Sequence, residues 1–295
     1  EMLQHANTAM AEAKNAGRDT LRFFDPVMQS ALESRATMEA DLRLAIQLKQ
    51  FELHYQIQVD DNNLAIGAEA LVRWNHPQRG LVSPATFIPL AEETGLILSL
   101  GQWILEAACD QIKVWEASEA TCHLVLAVNV SARQLASDEF VAQVEKLLRS
   151  TGITPSRLKL EITESMMLGD VEAVIRIIRQ LKALGVSFSM DDFGTGYSSL
   201  QYLKRLPLDQ LKIDQSFVHD ITTDSSDQAL VSTIVAMAQS LRLSTIAEGV
   251  ETQAQRALLA LQGCRNFQGY LFSRPVPIAA FADVLQRHGR GDGPA

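Results

Sequence analysis

The chain has 295 residues, 47% of them hydrophobic, and a formal net charge of −9, enough to bury one large core; a barrel of about 250 residues with an appendage fits better than two equal domains. The acidic balance argues against polymeric nucleic acid, which needs a continuous basic face, and leaves room for a small anionic ligand bridged by metal ions. There is neither an apolar run of membrane-spanning length nor a secretion-like segment, and Cys109, Cys122 and Cys264 show no CxxC spacing, so a disulfide framework or thiolate metal site is not expected and a reducing cytoplasm is.

Residues 1–26 read as a helix through Lys14, a turn at Gly17 and a short strand near Leu21 to Phe24. A helical stretch follows from about Pro26 to Gln50, with apolar residues at Ala31, Met38, Leu42, Ala45 and Leu48. It is either a connector, assigned to 27–50, or the outer helix covering the first strand. From residue 51 a strand-then-helix pattern repeats about eight times, with strands near 51–59, 64–74, 124–130, 158–163, 186–191, 210–213, 244–247 and 265–270. Short runs rich in Val, Ile and Leu between longer helical segments predict parallel strands buried on both faces, the α/β class of the TIM (β/α)8 barrel. Only Asp60-Asp61-Asn62-Asn63 separates the first two, too short for a crossover helix, so that pair is an antiparallel hairpin and the barrel is a modified one. Helix starts are marked by Ser83 before Pro84 and by capping-box spacing at Ser99–Gln102, Ser131–Gln134 and Thr252–Gln255. The barrel is expected over 51–288 and a disordered tail over 289–295.

Six of these runs end in a carboxylate, an amide or a lysine: Glu69, Asn129, Glu161, Asp191 with Asp192, Lys212 and Glu248. In a closed barrel those ends share the C-terminal face, where catalytic groups gather. Carboxylates about 4 Å apart repel by roughly 4 kcal/mol at an effective dielectric of about 20, so Glu69, Glu161, Asp191, Asp192 and Glu248 either share protons or surround divalent cations. Oxygen-only ligands favour Mg2+ or Mn2+ over zinc, and none of the six histidines forms a ligand pair at helical spacing. A metal-dependent hydrolase of a phosphate ester is the natural reading. Strand alternation puts Glu69 and Arg73 on one face, either as a metal ligand beside a phosphate-gripping guanidinium or as a strand-edge salt bridge. Locally, Asn129 reads equally as ligand or turn residue. Asp192-Phe193-Gly194 matches a kinase fragment, but no kinase phosphate loop or catalytic loop accompanies it.

Several separate signatures occur in order: Glu69-Ala70-Leu71-Val72-Arg73-Trp74 with His76-Pro77, Asn129 to Gln134, Glu161-Ile162-Thr163-Glu164, Asp191 to Leu200, Leu211-Lys212-Ile213-Asp214, Ala247 to Glu251, and Gln268-Gly269-Tyr270. From about Leu42 to Leu285 the chain thereby resembles the EAL family of cyclic-di-GMP phosphodiesterases. The resemblance implies opening of cyclic-di-GMP to linear pGpG with two Mg2+ or Mn2+ ions per site. Glu69, Asn129, Glu161 and Asp191 would ligate one ion, and Asp191, Asp192 and Glu248 the second. Lys212, Glu248 and Glu69 would be catalytic, with Lys212 beside the attacking water or merely balancing the carboxylates. Gln56, Leu71, Arg73, Asp214 and Gln268 would contact substrate. Glu164 and Glu251 would steady the loop that bends at Gly194 and Gly196 and carries Tyr197. One departure, Tyr55-Gln56-Ile57 where family members often have Tyr-Gln-Pro, touches no metal position.

Residues 1–26, with Ala11 to Arg18, resemble the tail of a GGDEF cyclase domain whose motif lies outside the chain. The parent polypeptide is thus expected to carry GGDEF and sensor domains upstream, with any inner-membrane anchor there too. A homodimer through the helix after Ser198 is expected. The rival readings are a receptor that binds cyclic-di-GMP without cutting it and a structural barrel that binds none.

Overall fold

A computed structural model describes Met10, residues 25–196 and residues 200–289. Apart from Met10, the elements and cyclase remnant expected before residue 25, the tail after Gly289, and Tyr197 and Ser198 of the glycine-bearing loop lie outside the described residues. Ten strands are present: β1 (Phe51–Asp60), β2 (Ala65–His76), β3 (Gly80–Val82), β4 (Val125–Asn129), β5 (Leu158–Thr163), β6 (Ser187–Phe193), β7 (Gln210–Ile213), β8 (Ser244–Ala247), β9 (Asn266–Gln268) and β10 (Val276–Pro277). By contacts the chain divides into two units, Glu1–Phe51 with Trp74–Leu96 and Glu52–Arg73 with Ile97–Ala295.

The second unit is the barrel. β2, β4, β5, β6, β7, β8 and β9 run parallel in that order, and β1 closes the eight-stranded ring by pairing antiparallel with β9 and β2. The predicted hairpin is therefore present. Asp60 closes its turn by accepting hydrogen bonds from the Asn62 and Leu64 amides, and Asn63 takes φ 65°, a conformation asparagine tolerates. The eight predicted strands correspond to β1, β2 and β4 to β9; the very short β3 and β10 were not expected.

Helices cover the ring through apolar stripes at helical spacing. On Ile97–Glu116 the stripe includes Ile97, Leu100, Ile104, Ala108, Ile112 and Trp115; on Val171–Ala183 it is Val171, Ile175, Ile178 and Leu181. The capping boxes at Ser131–Gln134 and Thr252–Gln255 are reciprocal as predicted. Ser99 is not a cap. Its helix starts at Ile97, whose buried side chain carries the stripe one turn further toward the N-terminus and leaves Ser99 on the exposed face. Ser83 occupies the cap position before Pro84 without a side-chain cap bond. Inside the ring the pattern is polar. Contacts and period-two alternation aim Lys159 and Glu161 of β5, Ser189 and Asp191 of β6, and Gln210 and Lys212 of β7 toward the axis.

In the first unit, helix Pro26–Gln47 is capped by Asp25 and buries Met38, Leu42 and Ala45, one stripe at spacings of four and three. The apolar Leu48 lies just past its end and is 63% exposed. The Trp74 ring packs on Phe51 and edge-on to Phe87, while His76 pairs with Asp41 at 3.1 Å. Among the described residues no helix is long and apolar enough to cross a membrane.

Candidate active site

Lys212 stands at the centre of the carboxylate cluster, 1% exposed. Its ammonium lies 2.7 Å from Glu161 Oε2, 2.7 Å from Glu248 Oε1, 3.1 Å from Asp191 Oδ1 and 3.5 Å from Glu69 Oε2. In the parallel register Asn129 lies opposite Glu161, and Asp191 lies opposite Thr163, two residues beyond Glu161. Glu69 is gripped from two further sides, by Asn129 Nδ2 and Gln268 Nε2, each at 2.6 Å. Gln268 is itself fixed by Gln58, which donates to its Oε1 at 2.8 Å, and by its own contact to Gln56 Oε1 at 3.1 Å. Gln58 was not anticipated, although it sits two residues from Gln56 and so shares its face.

The protonation pattern follows from crowding. Burial pushes the Glu69 carboxyl up, but the Lys212 ammonium and the bonds from Gln268 and Asn129 outweigh it and hold Glu69 below the usual carboxylate range. Burial raises Glu161 well above that range, and Glu69, Asp191 and Glu248 add repulsion that Lys212 does not offset. Glu248 is pushed to about 8 by burial, with Asp191 and Glu69 contributing. Asp192 rises to about 6 through partial burial and the neighbouring Asp191 and Asp214. Burial opposes the charge on Lys212, yet the four carboxylates keep its pKa well above that of an ordinary lysine. One ammonium thus leaves the cluster short of positive charge.

Adjacent residues on a regular strand point to opposite faces, yet Asp191 and Asp192 both reach the site. The register of β6 against β7 shifts between Met190 and Phe193, and Asp192 takes φ 52°. This bulge re-aims the second carboxylate. Carboxylate oxygens then fall into two groups, Glu69 with Glu161 and Asp191, and Asp191 with Asp192 and Glu248; within each group they lie within 4.8 Å of one another. Asp191 belongs to both. The sets are oxygen-only, and Glu161 Oε1 is buried with no hydrogen-bond partner. Such donors fit a hard divalent cation.

A cavity of about 280 Å³ opens over the cluster, with Gln56, Leu71, Arg73, Glu251, Gln268 and Tyr270 in its wall. Arg274 stacks on Tyr270 at 4.2 Å. Asp214 is not in that wall; its carboxylate caps helix Gln215–His219 by accepting from Ser216. Glu164 latches the adjoining loop, its Oε2 accepting from the Gly194 amide at 3.0 Å and the Gly196 amide at 3.4 Å. Gly194 has φ 100°, and a Cβ there would meet the Phe217 ring at 2.9 Å. Among the described residues the Glu251 carboxylate makes no bond to this loop; its backbone N–H donates to Gln255.

A family model described as EAL domain matches residues 39–275. Over 279 residues the chain is 46% identical to the bifunctional diguanylate cyclase/cyclic di-GMP phosphodiesterase MucR of Pseudomonas aeruginosa, covering 94% of this chain and 40% of that one. It is 41% identical over 290 residues to the cyclic di-GMP phosphodiesterase NbdA of the same organism, covering 98% and 37%. The chain therefore spans well under half the length of these relatives. Among solved structures, the PaMucR phosphodiesterase in complex with c-di-GMP superposes with a TM-score of 0.80 at 47% identity, covering 83% of this chain and 99% of that one.

Proposed function

Since the chain belongs to the EAL domain family, we propose that it hydrolyses cyclic-di-GMP to linear 5′-pGpG with two divalent cations, lowering the level of that second messenger. The observation that carries this reading is the pair of oxygen-donor groups hinged on Asp191 around a buried lysine. The names of the relatives, two of them called cyclic di-GMP phosphodiesterases, support the substrate. In this reading 51–288 is the catalytic barrel, 27–50 a connecting helix and 1–26 the remnant of a GGDEF domain. The protein works in the cytoplasm as a homodimer, and the parent chain carries further domains upstream.

Glu69, Asn129, Glu161 and Asp191 would hold one ion and Asp191, Asp192 and Glu248 the other. When bound, Mg2+ or Mn2+ supplies charge neutralisation at a phosphodiester and makes water acidic enough to react near neutral pH. The chain's own groups do the rest. Arg73, at the rim on the same strand as Glu69, meets a phosphate oxygen, and the amides of Gln56 and Gln268 meet polar edges of a base. Lys212, whose ammonium lies among Glu161, Glu248 and Asp191, would donate to oxygen on which charge develops. Water adds to phosphorus, one P–O3′ bond breaks, and a 5′-phosphate and a 3′-hydroxyl result.

The test is chromatography of cyclic-di-GMP incubated with purified protein and Mg2+ or Mn2+, which should yield pGpG; Ca2+ should substitute poorly because it prefers more ligands at longer distance. Glu69→Ala should abolish turnover. Dinucleotide that is bound but uncut by the native protein with either ion would replace this reading with that of a receptor.

A further inference from the structure

On β6, two residues before Asp191, the barrel interior holds a buried hydroxyl that the site as described does not use. Ser189 is 0% exposed, and its Oγ has no hydrogen-bond partner. On the neighbouring strand its register partner is Glu161, whose Oε1 is likewise buried and without a partner. On the other side its register partner is Gln210, which receives Lys159 Nζ at 2.8 Å. The surrounding shell is thus polar, unlike the branched apolar layers that usually fill such barrels. A buried serine hydroxyl left unsatisfied is destabilising, and alanine would remove that cost at almost the same volume. Two orphaned groups on adjacent strands supply the two polar partners that an internal water needs.

We propose that Ser189 is a positioning residue for Glu161, holding a single buried water that donates a hydrogen bond to the Glu161 carboxylate and fixes its orientation from the neighbouring strand. The inference rests on the reading of Glu161 as a metal ligand, since outer partners of this kind tune the affinity of the ligands they touch. It needs nothing from the substrate side of the site.

Mn2+ binding to the native protein and to Ser189→Ala, measured by calorimetry without substrate alongside thermal melts of both ion-free proteins, separates the possibilities. The expected result is an affinity for Mn2+ lower by about tenfold or more in Ser189→Ala. A purely structural serine predicts a different pair of results: an unchanged affinity, with the alanine variant as stable as the parent or more so. That outcome overturns the proposal. If the native protein itself binds no Mn2+, the metal reading fails, which the native titration alone reveals. A crystal structure of the native protein gives a second check. Ordered density about 2.6–3.2 Å from both Ser189 Oγ and Glu161 Oε1 supports the water, and a Ser189 hydroxyl bonded elsewhere with no such density refutes it.

Discussion

Replacing Lys212 by methionine keeps most of the side-chain volume and deletes what is, among the described residues, the only positive charge in contact with four carboxylates. Each short pair is worth roughly 4 kcal/mol or more at an effective dielectric of about 20, offset by the desolvation of the ammonium. Breaking buried pairs by removing one partner typically costs about 3–5 kcal/mol, because the other charges stay buried and uncompensated. For a barrel of this size each kcal/mol moves the midpoint by about 2–4 °C, so the ion-free variant should melt roughly 6–20 °C below the parent near pH 8. The loss also has a direction in pH. Carboxylates without their counter-ion titrate higher folded than unfolded, so the stability they contribute is present in acid and lost as pH rises through their folded pKa values. The deficit should shrink toward about pH 5, where the acids take up protons. Calorimetric melts of parent and variant in chelator across that range test it. Midpoints within about 2 °C at pH 8, or a deficit that grows in acid, would refute the electrostatic account.

Glu164→Ala should speed amide exchange at Gly194 and Gly196 by about ten- to a hundredfold, since bonds to a charged acceptor contribute about 1.5–3 kcal/mol; unchanged protection in exchange mass spectrometry would remove the latch. Gly194→Ala should lower urea stability by about 1–3 kcal/mol through φ 100° and the Phe217 contact at 2.9 Å. Gly152→Ala, at φ 71° with open space around the new methyl, should cost only about 1 kcal/mol, and equal costs would show that the ring contact does not matter. Burial raises the Tyr55 phenol to about 12, so the parent should lose up to about 3 kcal/mol of stability as pH rises from about 10 to 12. Tyr55→Phe should lack that share of the slope in alkaline denaturation, and identical slopes would contradict it.

What was legible in the sequence was local. Strand runs such as Leu158 to Glu161 carry their apolar alternation and their polar end together, and the four-residue link before Leu64 admits only a hairpin. The boxes at Ser131 and Thr252 were readable because both partners lie within four residues. The same spacing at Ser99 misled, because the pattern permits a helix start without requiring one, and the burial of Ile97 decided the matter. The Gln56, Gln58 and Gln268 relay was illegible because its bonds join residues some 210 positions apart. Asp191 and Asp192 were recognisable as a pair, but regular alternation gave no way for both to serve one site.

The kink at Asp192 makes this stretch of β6 unforgiving of changes in length. Only Asp191 and Asp192 lie between Met190 and Phe193, so deleting either would restore a regular pleat with Phe193 still opposite Ile213 and a single acid where the site now has two. Point substitutions around it cost fractions of the fold's stability, but a reading-frame-neutral loss of a single codon would remove one of the two adjacent acids outright. Tolerance to indels, scanned residue by residue, should therefore collapse at this strand while persisting in the Asp60 to Asn63 turn.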